Sequence, residues 1–557
     1  MHNLAAIHEA IARALPEREC IVFRDRRFTW AQTTDRTRRL ADVLRAHGLG
    51  CHAERRNAAG DTVLEGWESG QDHVALYLHN GNEYLEGMLG AFKARCAPFN
   101  VNYRYVDDEL VYLLRDARAR AVVFHGAFAP ALARVRERLE DVRLWLQVDD
   151  GSGAPRLPGA LDYEAALAAA APAPPRGLSP DDLYVLYTGG TTGMPKGVLW
   201  RQQDIFLGAL YPPGAPGDAE GVARRAVERG DPIRVLAAPP FMHGAAHWAA
   251  FNIAFLGGTV IVQSHPERLD PHDVWATVER ERASALTIVG DAFARPLLDA
   301  LAERRYDLSS LRLLTSGGAI LSSERKRELL DAIPGLRIND SLGSSESGMQ
   351  AVQSSTKGRE GETARFELAR ANVVLSAALD RVLAPGDAEI GWLAKSGHVP
   401  LGYLGDPQKT ARTFPVVDGV RHAVPGDRAR LGADGRLHLL GRDSVTINSG
   451  GEKIFAEEVE LALKTHPDVH DALVVGTPSE RWGQQVTALV ALRPGAARDD
   501  AALRAAAAAH LAGFKLPKAF VVVPAIARAP SGKPDYAWAR ATAERALAGE
   551  GARPDER

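Results

Sequence analysis

Apolar and polar positions follow two rhythms along this chain, one helical and one extended, and their succession predicts its elements. From residue 4 to 48 the apolar positions recur at helical spacing around a short apolar run at Cys20–Phe23. Thr29 stands just before Trp30-Ala31, where a helix cap is expected. Residues 51–72 carry no period and predict a surface loop. A strand at Val74–Tyr77 follows, then helical spacing over 86–96, a strand at 97–100, helical spacing over 107–117 and a strand at 120–124. That exchange is the βαβ rhythm of a doubly wound α/β domain. The Ala/Pro stretch 165–178 reads as a helix end and a tether, and LYVLY at 183–187 as a buried strand.

The most apolar long stretch is 245–263, but His247, Asn252 and Gln263 interrupt it and Gly257-Gly258 breaks it. It predicts a core helix followed by a buried strand rather than a membrane span. Helical spacing over 273–283 and 322–333 then alternates with strands at Leu286–Val289 and Arg337–Asn339. After about residue 385 the texture turns to short strands and Gly-rich turns. From Ser444 a separate α+β pattern begins: helix 456–464, strands 472–475 and 486–492, helix 500–512 and strand 519–523. At 557 residues the chain is too long for one core. The expected fold class is α/β. Residues 1–442 form a large N-terminal region of doubly wound subdomains with a small β-rich subdomain, and 443–557 a small mobile C-terminal domain.

One run changes the picture from fold to chemistry. Tyr187 is followed by Thr188, Gly189, Gly190, Thr191, Thr192, Gly193, Met194, Pro195, Lys196 and Gly197. Glycines let successive N–H groups turn inward as an anion-binding nest, hydroxyls add donors, and Lys196 adds a compact positive charge. The run is built to hold phosphates. It is not of the GxxxxGK[ST] type, because no Ser or Thr follows Lys196.

This run resembles the phosphate-binding signature of the adenylate-forming superfamily, which includes acyl-CoA synthetases, luciferases and peptide-synthetase adenylation domains. Further segments resemble the family in its order over nearly the whole chain: Pro239–Gly244, Ser316–Ala319, Asn339–Glu346, Pro425–Asp427, Gly441–Asp443, Gly450–Lys453 and Pro530–Lys533. The resemblance implies that Thr188 to Gly193 and Lys196 grip ATP, with Thr188 and Glu346 contacting Mg²⁺. It implies His243 beside the reacting carboxylate, and Gly317, Gly318 and Ala319 against the acyl-adenylate. Asp340, Ser341, Leu342, Gly343, Ser344 and Ser345 border the nucleotide, and Asp427 and Arg442 hold the ribose or phosphate. Asp443 and Ser444 form the hinge. Gly450, Gly451, Lys515 and Lys518 face CoA, and Lys533 bridges the carboxylate and the α-phosphate. Two positions depart from the family pattern: Leu342 replaces the usual Tyr, and Ser444 the usual Asp or Lys.

The implied activity is ATP-dependent acyl-CoA ligation, with Mg²⁺ and ATP as cofactors and CoA as co-substrate. The texture of 289–298, 339–348 and 446–460 resembles bacterial enzymes that activate fatty or steroid-derived acids. Two other readings stay open, transfer of the acyl group to a carrier protein and a regulatory protein on an inactive ligase scaffold. Retention of Lys196, Glu346, Asp427, Arg442 and Lys533 argues against the second.

Composition excludes little else. Hydrophobic residues are 46%, charged residues 25% and the net charge −3, which gives no reason to expect nucleic acid or an anionic membrane as partner. Cys20, Cys51 and Cys96 have no metal-type spacing and suit a reducing cytoplasm. Neither a secretory pattern at the start nor a peroxisomal address at Pro554–Arg557 is present, so a cytoplasmic location is expected, with a homodimer left open.

Overall fold

The computed structural model of the protein describes residues 2–57, 59–190, 193–369, 371–449, 452–479, 481–529 and 532–549. Two units emerge from the chain's contacts. The first takes in residues up to Gly190, Met194–Gly361 and Lys395–Ala423; the second, chiefly Glu362–Ala394 and the chain from Val424 onward.

The first unit holds two parallel sheets. In one, strands run side by side in the order Glu19–Phe23, Thr259–Val262, Arg234–Ala237, Ala285–Ile288, Leu313–Gly317 and Arg337–Ser344, all parallel. Antiparallel strands Arg26–Thr29 and Gly348–Ser355 flank them. In the other the order is Ala97–Asn100, His73–Tyr77, Ala119–His125, Leu144–Val148 and Leu161–Asp162, again parallel. The strands His73–Tyr77, Leu144–Val148 and Ala285–Ile288 are buried on both faces, which is why their sequences read as continuous, largely apolar runs. Helices Leu4–Ala14, Trp30–Ala46 and Asn82–Lys93 belong to a core containing Trp30, Leu44, Phe92 and Trp200. Helices Pro271–Glu281 and Gly290–Glu303 share a second core with Trp275, Leu286 and Leu314. Thr29 caps its helix as expected, in a capping box closed by Gln32. The described residues of the 51–72 segment form no helix or strand, only isolated bridges such as Cys51 to Gln71. All three cysteines are free.

The second unit pairs Arg436–Arg442 antiparallel with both Arg365–Leu368 and Asp427–Leu431, so the small β-rich region begins earlier than the change of texture expected after about residue 385. A further sheet of Glu452–Phe455, Thr446–Ser449, Gly483–Leu492, Val469–Ser479 and Ala519–Val522 carries helices Ala456–Leu463, Asp500–Ala508 and Tyr536–Leu547.

The extended segments run further than their apolar stretches indicate. The strand expected at Arg337–Asn339 continues to Ser344, and those expected at 472–475 and 486–492 are Val469–Ser479 and Gly483–Leu492. Conversely, the helix expected over 500–512 ends at Ala508. Among the described residues, no helix is long and apolar enough to cross a membrane.

Candidate active site

In the first parallel sheet the chain, after Glu19–Phe23, returns at Arg234–Ala237, turns to one side for Thr259–Val262 and to the other for Ala285–Ile288. Such a reversal leaves a crevice beyond the carboxyl ends of the strands, where ligands of open α/β sheets bind. The segments singled out in the sequence leave the sheet at that edge. Pro239–Gly244 follows Arg234–Ala237, Gly290 follows Ala285–Ile288, Gly318 follows Leu313–Gly317, and Glu346 follows Arg337–Ser344.

The phosphate-type run is more strand than loop. Leu183–Gly190 and Gly193–Arg201 are both extended, in a small sheet with Gly402–Tyr403; Thr191 and Thr192 lie outside the described residues. Lys196 is held on this hairpin: its Nζ lies 3.4 Å from Asp116 Oδ1 and 5.9 Å from the Tyr112 ring centre. Burial opposes its charge, but Tyr112 and Asp116 outweigh burial and keep its pKa above the ordinary value. Tyr187 donates to the other Asp116 oxygen at 2.8 Å. Gly197 is needed because a Cβ there would stand 2.8 Å from the Tyr187 ring.

Two buried asparagines, which nothing in the sequence pattern marks, hold the turn that carries His243, and Asn100 also fastens that turn to this hairpin. Asn100 Nδ2 donates to the carbonyls of Tyr187 (2.8 Å) and Met242 (2.7 Å), and its Oδ1 accepts from Tyr187 N–H at 2.8 Å. Asn80 donates to Pro239 O at 2.9 Å and accepts from Phe241 N–H at 2.5 Å. His243 is half-buried and stands at the N-cap of the helix Gly244–Phe255. The neighbouring His247 is a core residue: burial pushes its pKa down to about 4, although its bond to Phe241 opposes the shift. A consistent hydrogen-bond set follows for the neutral ring. Trp248 Nε1–H donates to Tyr184 (2.8 Å), Tyr184 O–H to His247 Nε2 (2.5 Å), and His247 Nδ1–H to Phe241 O (2.7 Å).

At the next strand end Gly318 has φ +88°, and Gly290 (φ +53°) lies so close to 319–320 that a Cβ would stand 2.4 Å from Ile320 O. Ser316 Oγ accepts from Gly290 N–H at 3.0 Å and fixes the two segments together. Asp340 is engaged in a buried ion pair with Lys326 at 2.8 Å, so its carboxylate serves the sheet. Ser341 and Leu342 beside it are half-buried and Gly343 is exposed; a bulge at Leu342/Gly343 brings Gly348 O to 2.3 Å from a Cβ on Gly343. Ser344 Oγ bonds Ser347 Oγ at 2.8 Å, and Ser345 O accepts from Trp200 Nε1 at 2.9 Å, fixing the turn that carries Glu346.

Glu346 Oε1 accepts from Tyr403 O–H at 2.8 Å. Among the described residues no group of three His, Cys, Asp or Glu could cage a metal. A lone carboxylate and the Thr188 hydroxyl suit Mg²⁺, which keeps waters and takes most remaining ligands from substrate phosphates.

In the second unit, Asp427 and Arg442 are directly opposite across two antiparallel strands, with Arg442 Nε 3.3 Å from Asp427 Oδ1. A single turn of 3₁₀ helix, Asp443–Val445, follows; Asp443 N–H donates to Gly426 O at 3.0 Å and its carboxylate accepts from Arg428 at 2.9 Å. Lys533 is exposed on a tight loop closed by paired backbone bonds, Ala529 N–H to Lys533 O and Gly532 N–H to Ala529 O, each 2.8 Å. Arg528 anchors that loop, donating to Gly532 O at 3.1 Å and to Asp471 at 2.8 Å. Burial opposes the Asp471 charge, yet Lys464 and Arg528 hold its pKa below the usual range. Lys515, expected to face CoA, is paired with Glu458 at 2.7 Å, whereas Lys518 is exposed. Gly450 and Gly451 lie outside the described residues.

Residues 8–373 match the AMP-binding enzyme family, and 458–533 match the AMP-binding enzyme C-terminal domain. The chain belongs to this family. It is 51% identical to the medium-chain acyl-CoA ligase Mig of Mycobacterium avium, over 97% of this chain and 98% of that protein. It is 39% identical to the 3-oxocholest-4-en-26-oate–CoA ligase of Rhodococcus rhodochrous, over 97% of this chain and 95% of that one. The crystal structure of the anthranilate CoA ligase AuaEII, in complex with anthranoyl-AMP, shares the fold with a TM-score of 0.82 at 21% identity, covering 98% of both chains.

Leu342 gives one test of the nucleotide side. An aromatic stack adds about 0.5–1.5 kcal/mol beyond area burial. Leu342→Tyr is therefore expected to tighten ATP by about two- to tenfold in a direct binding titration. An unchanged or weaker constant in a folded variant would mean that Leu342 does not face the base.

Proposed function

We propose that the protein is an ATP-dependent acyl-CoA ligase acting in the cytoplasm on fatty acids, medium-chain acids first. The observation that carries this reading is the end-to-end likeness to the Mig ligase, combined with retention of Lys196, Glu346, Asp427, Arg442 and Lys533. The higher identity to Mig than to the steroid-acid ligase favours a fatty acid. A panel of medium-chain, long-chain and steroid side-chain acids, assayed for CoA-ester formation, tests it. Highest kcat/KM on steroid acids would overturn the substrate assignment.

In this reading the reaction has two steps. A carboxylate oxygen attacks the α-phosphorus of ATP and pyrophosphate leaves; the CoA thiolate then attacks the acyl carbon and AMP leaves. The hairpin around Lys196 grips the phosphates, Asn100 holds it in register with the turn that places His243 beside the carboxylate, and Asn80 braces that turn. Gly317 and Gly318 let the backbone approach the acyl-adenylate. Asp427 accepts from the ribose hydroxyls and Arg442 steadies the ribose or phosphate. Bound through Glu346 and Thr188, Mg²⁺ would neutralise phosphate charge. Lys533 meets the negative charge that gathers where carboxylate and α-phosphate come together. The C-terminal domain, from Asp443 onward, then turns so that Lys533 withdraws and Lys518 with the Gly450-Gly451 segment takes up CoA.

The turn gives a further prediction. Proline at 444 fixes φ and disfavours the helical conformation of Asp443. Ser444→Pro is expected to slow thioester formation from supplied acyl-adenylate by more than it slows pyrophosphate exchange. Equal loss of both half-reactions would place the pivot elsewhere.

A further inference from the structure

Glu457 opens the helix Ala456–Leu463, and its carboxyl group lies against the segment assigned to the hinge. Oε1 accepts a hydrogen bond from the Arg442 backbone N–H at 3.3 Å. The approach depends on Gly441, with φ +129°, where a Cβ would stand 2.3 Å from Glu457 Oε2. Oε2 is buried without a hydrogen-bond partner among the described residues. The groups facing it are Glu460 on its own helix, Asp427 and Arg442 on the two strands, and Tyr536 on the helix Tyr536–Leu547. Nearby cations are engaged elsewhere, Arg442 with Asp427 and both Lys464 and Arg528 with Asp471. A carboxyl group in these surroundings is held neutral, because burial and then Glu460 disfavour its charge and push its pKa up to about 8.

We propose that Glu457 is a positioning residue of the hinge, a latch whose carboxyl group holds the Arg442 backbone in this pose and releases it when the C-terminal domain turns. The inference rests on the two-step reading above, and it names what that reading leaves open, the contact that has to break. Freed from Gly441 and returned to water, the carboxyl group ionises, so leaving the latched pose releases one proton to solvent. Because the latched pose binds the proton more tightly, that pose is fully favoured below the ordinary carboxylate value. It loses ground as pH rises toward about 8, by up to about tenfold per pH unit, and changes no further above that.

Tryptic cleavage after Arg442, followed by mass spectrometry on the full chain without substrates, reads the pose. The ratio of wild-type to Glu457→Gln cleavage rates at each pH cancels the protease's own pH dependence, since a glutamine accepts from Arg442 at any pH. Between about pH 6 and pH 8 that ratio is expected to rise by at least about tenfold. A ratio constant within about twofold overturns the latch, on the same one-proton linkage. Should the glutamine variant lose its native circular dichroism, Glu457→Met supplies the neutral reference and the same two outcomes apply. The readout needs no turnover. A rising ratio in a chain that makes no CoA ester would sink the proposed function and keep the latch, whereas a flat ratio in an active ligase would sink the latch alone.

Discussion

Lys533→Ala is expected to lower carboxylate-dependent pyrophosphate exchange by about 10²–10³-fold, the usual cost of removing a preorganised group that meets charge developing in the transition state. Supplied acyl-adenylate should still react with CoA at close to the normal rate, because that step has the C-terminal domain turned away. Stability should change by no more than about 0.5 kcal/mol, since the side chain is exposed and the loop is held by backbone bonds and Arg528. Normal exchange in the variant would remove Lys533 from the first step. Loss of both steps in a folded variant would mean that Lys533 also serves CoA.

Glu346→Gln should act on the same step through the metal. The amide carbonyl of the replacement side chain can still accept from Tyr403, so the turn survives, but the negative charge that suits Mg²⁺ is gone. Even partners one step removed from a metal are worth about 10–100-fold in affinity or activity, so a direct ligand should cost at least that. The Mg²⁺ concentration for half-maximal pyrophosphate exchange is expected to rise by about 10–100-fold or more, with kcat falling even at saturating Mg²⁺. An unchanged Mg²⁺ requirement would show that Glu346 does not hold the ion.

The sequence made the α/β rhythm legible because buried parallel strands and amphipathic helices have different periods. It made the Lys196 run legible because glycine, hydroxyl and lysine chemistry is local. What it hid is tertiary. Asn80 meets the Pro239 turn across 159 residues and Asn100 meets Met242 across 142, and no period in either segment signals such a contact. Asp116 beside Lys196 and Arg528 behind Lys533 escaped for the same reason. The polar run Asn339–Ser344 has little intrinsic strand character, yet it is extended because Leu313–Gly317 and Gly348–Ser355 pair with it from both sides. The family resemblance points Lys515 toward CoA, and only the fold reveals Glu458 next to it.

The central claim is that one site makes an acyl-adenylate and passes the acyl group to CoA. The most direct measurement is a two-stage single-turnover experiment on the full chain with a medium-chain fatty acid. With Mg²⁺ and ATP alone, enzyme-bound acyl-adenylate and pyrophosphate should form in equal amounts and stop near one per active site. Addition of CoA should then convert the bound intermediate into acyl-CoA and AMP in the same amount. Formation of ADP and phosphate instead, or an acyl-adenylate that CoA does not consume, would contradict the account.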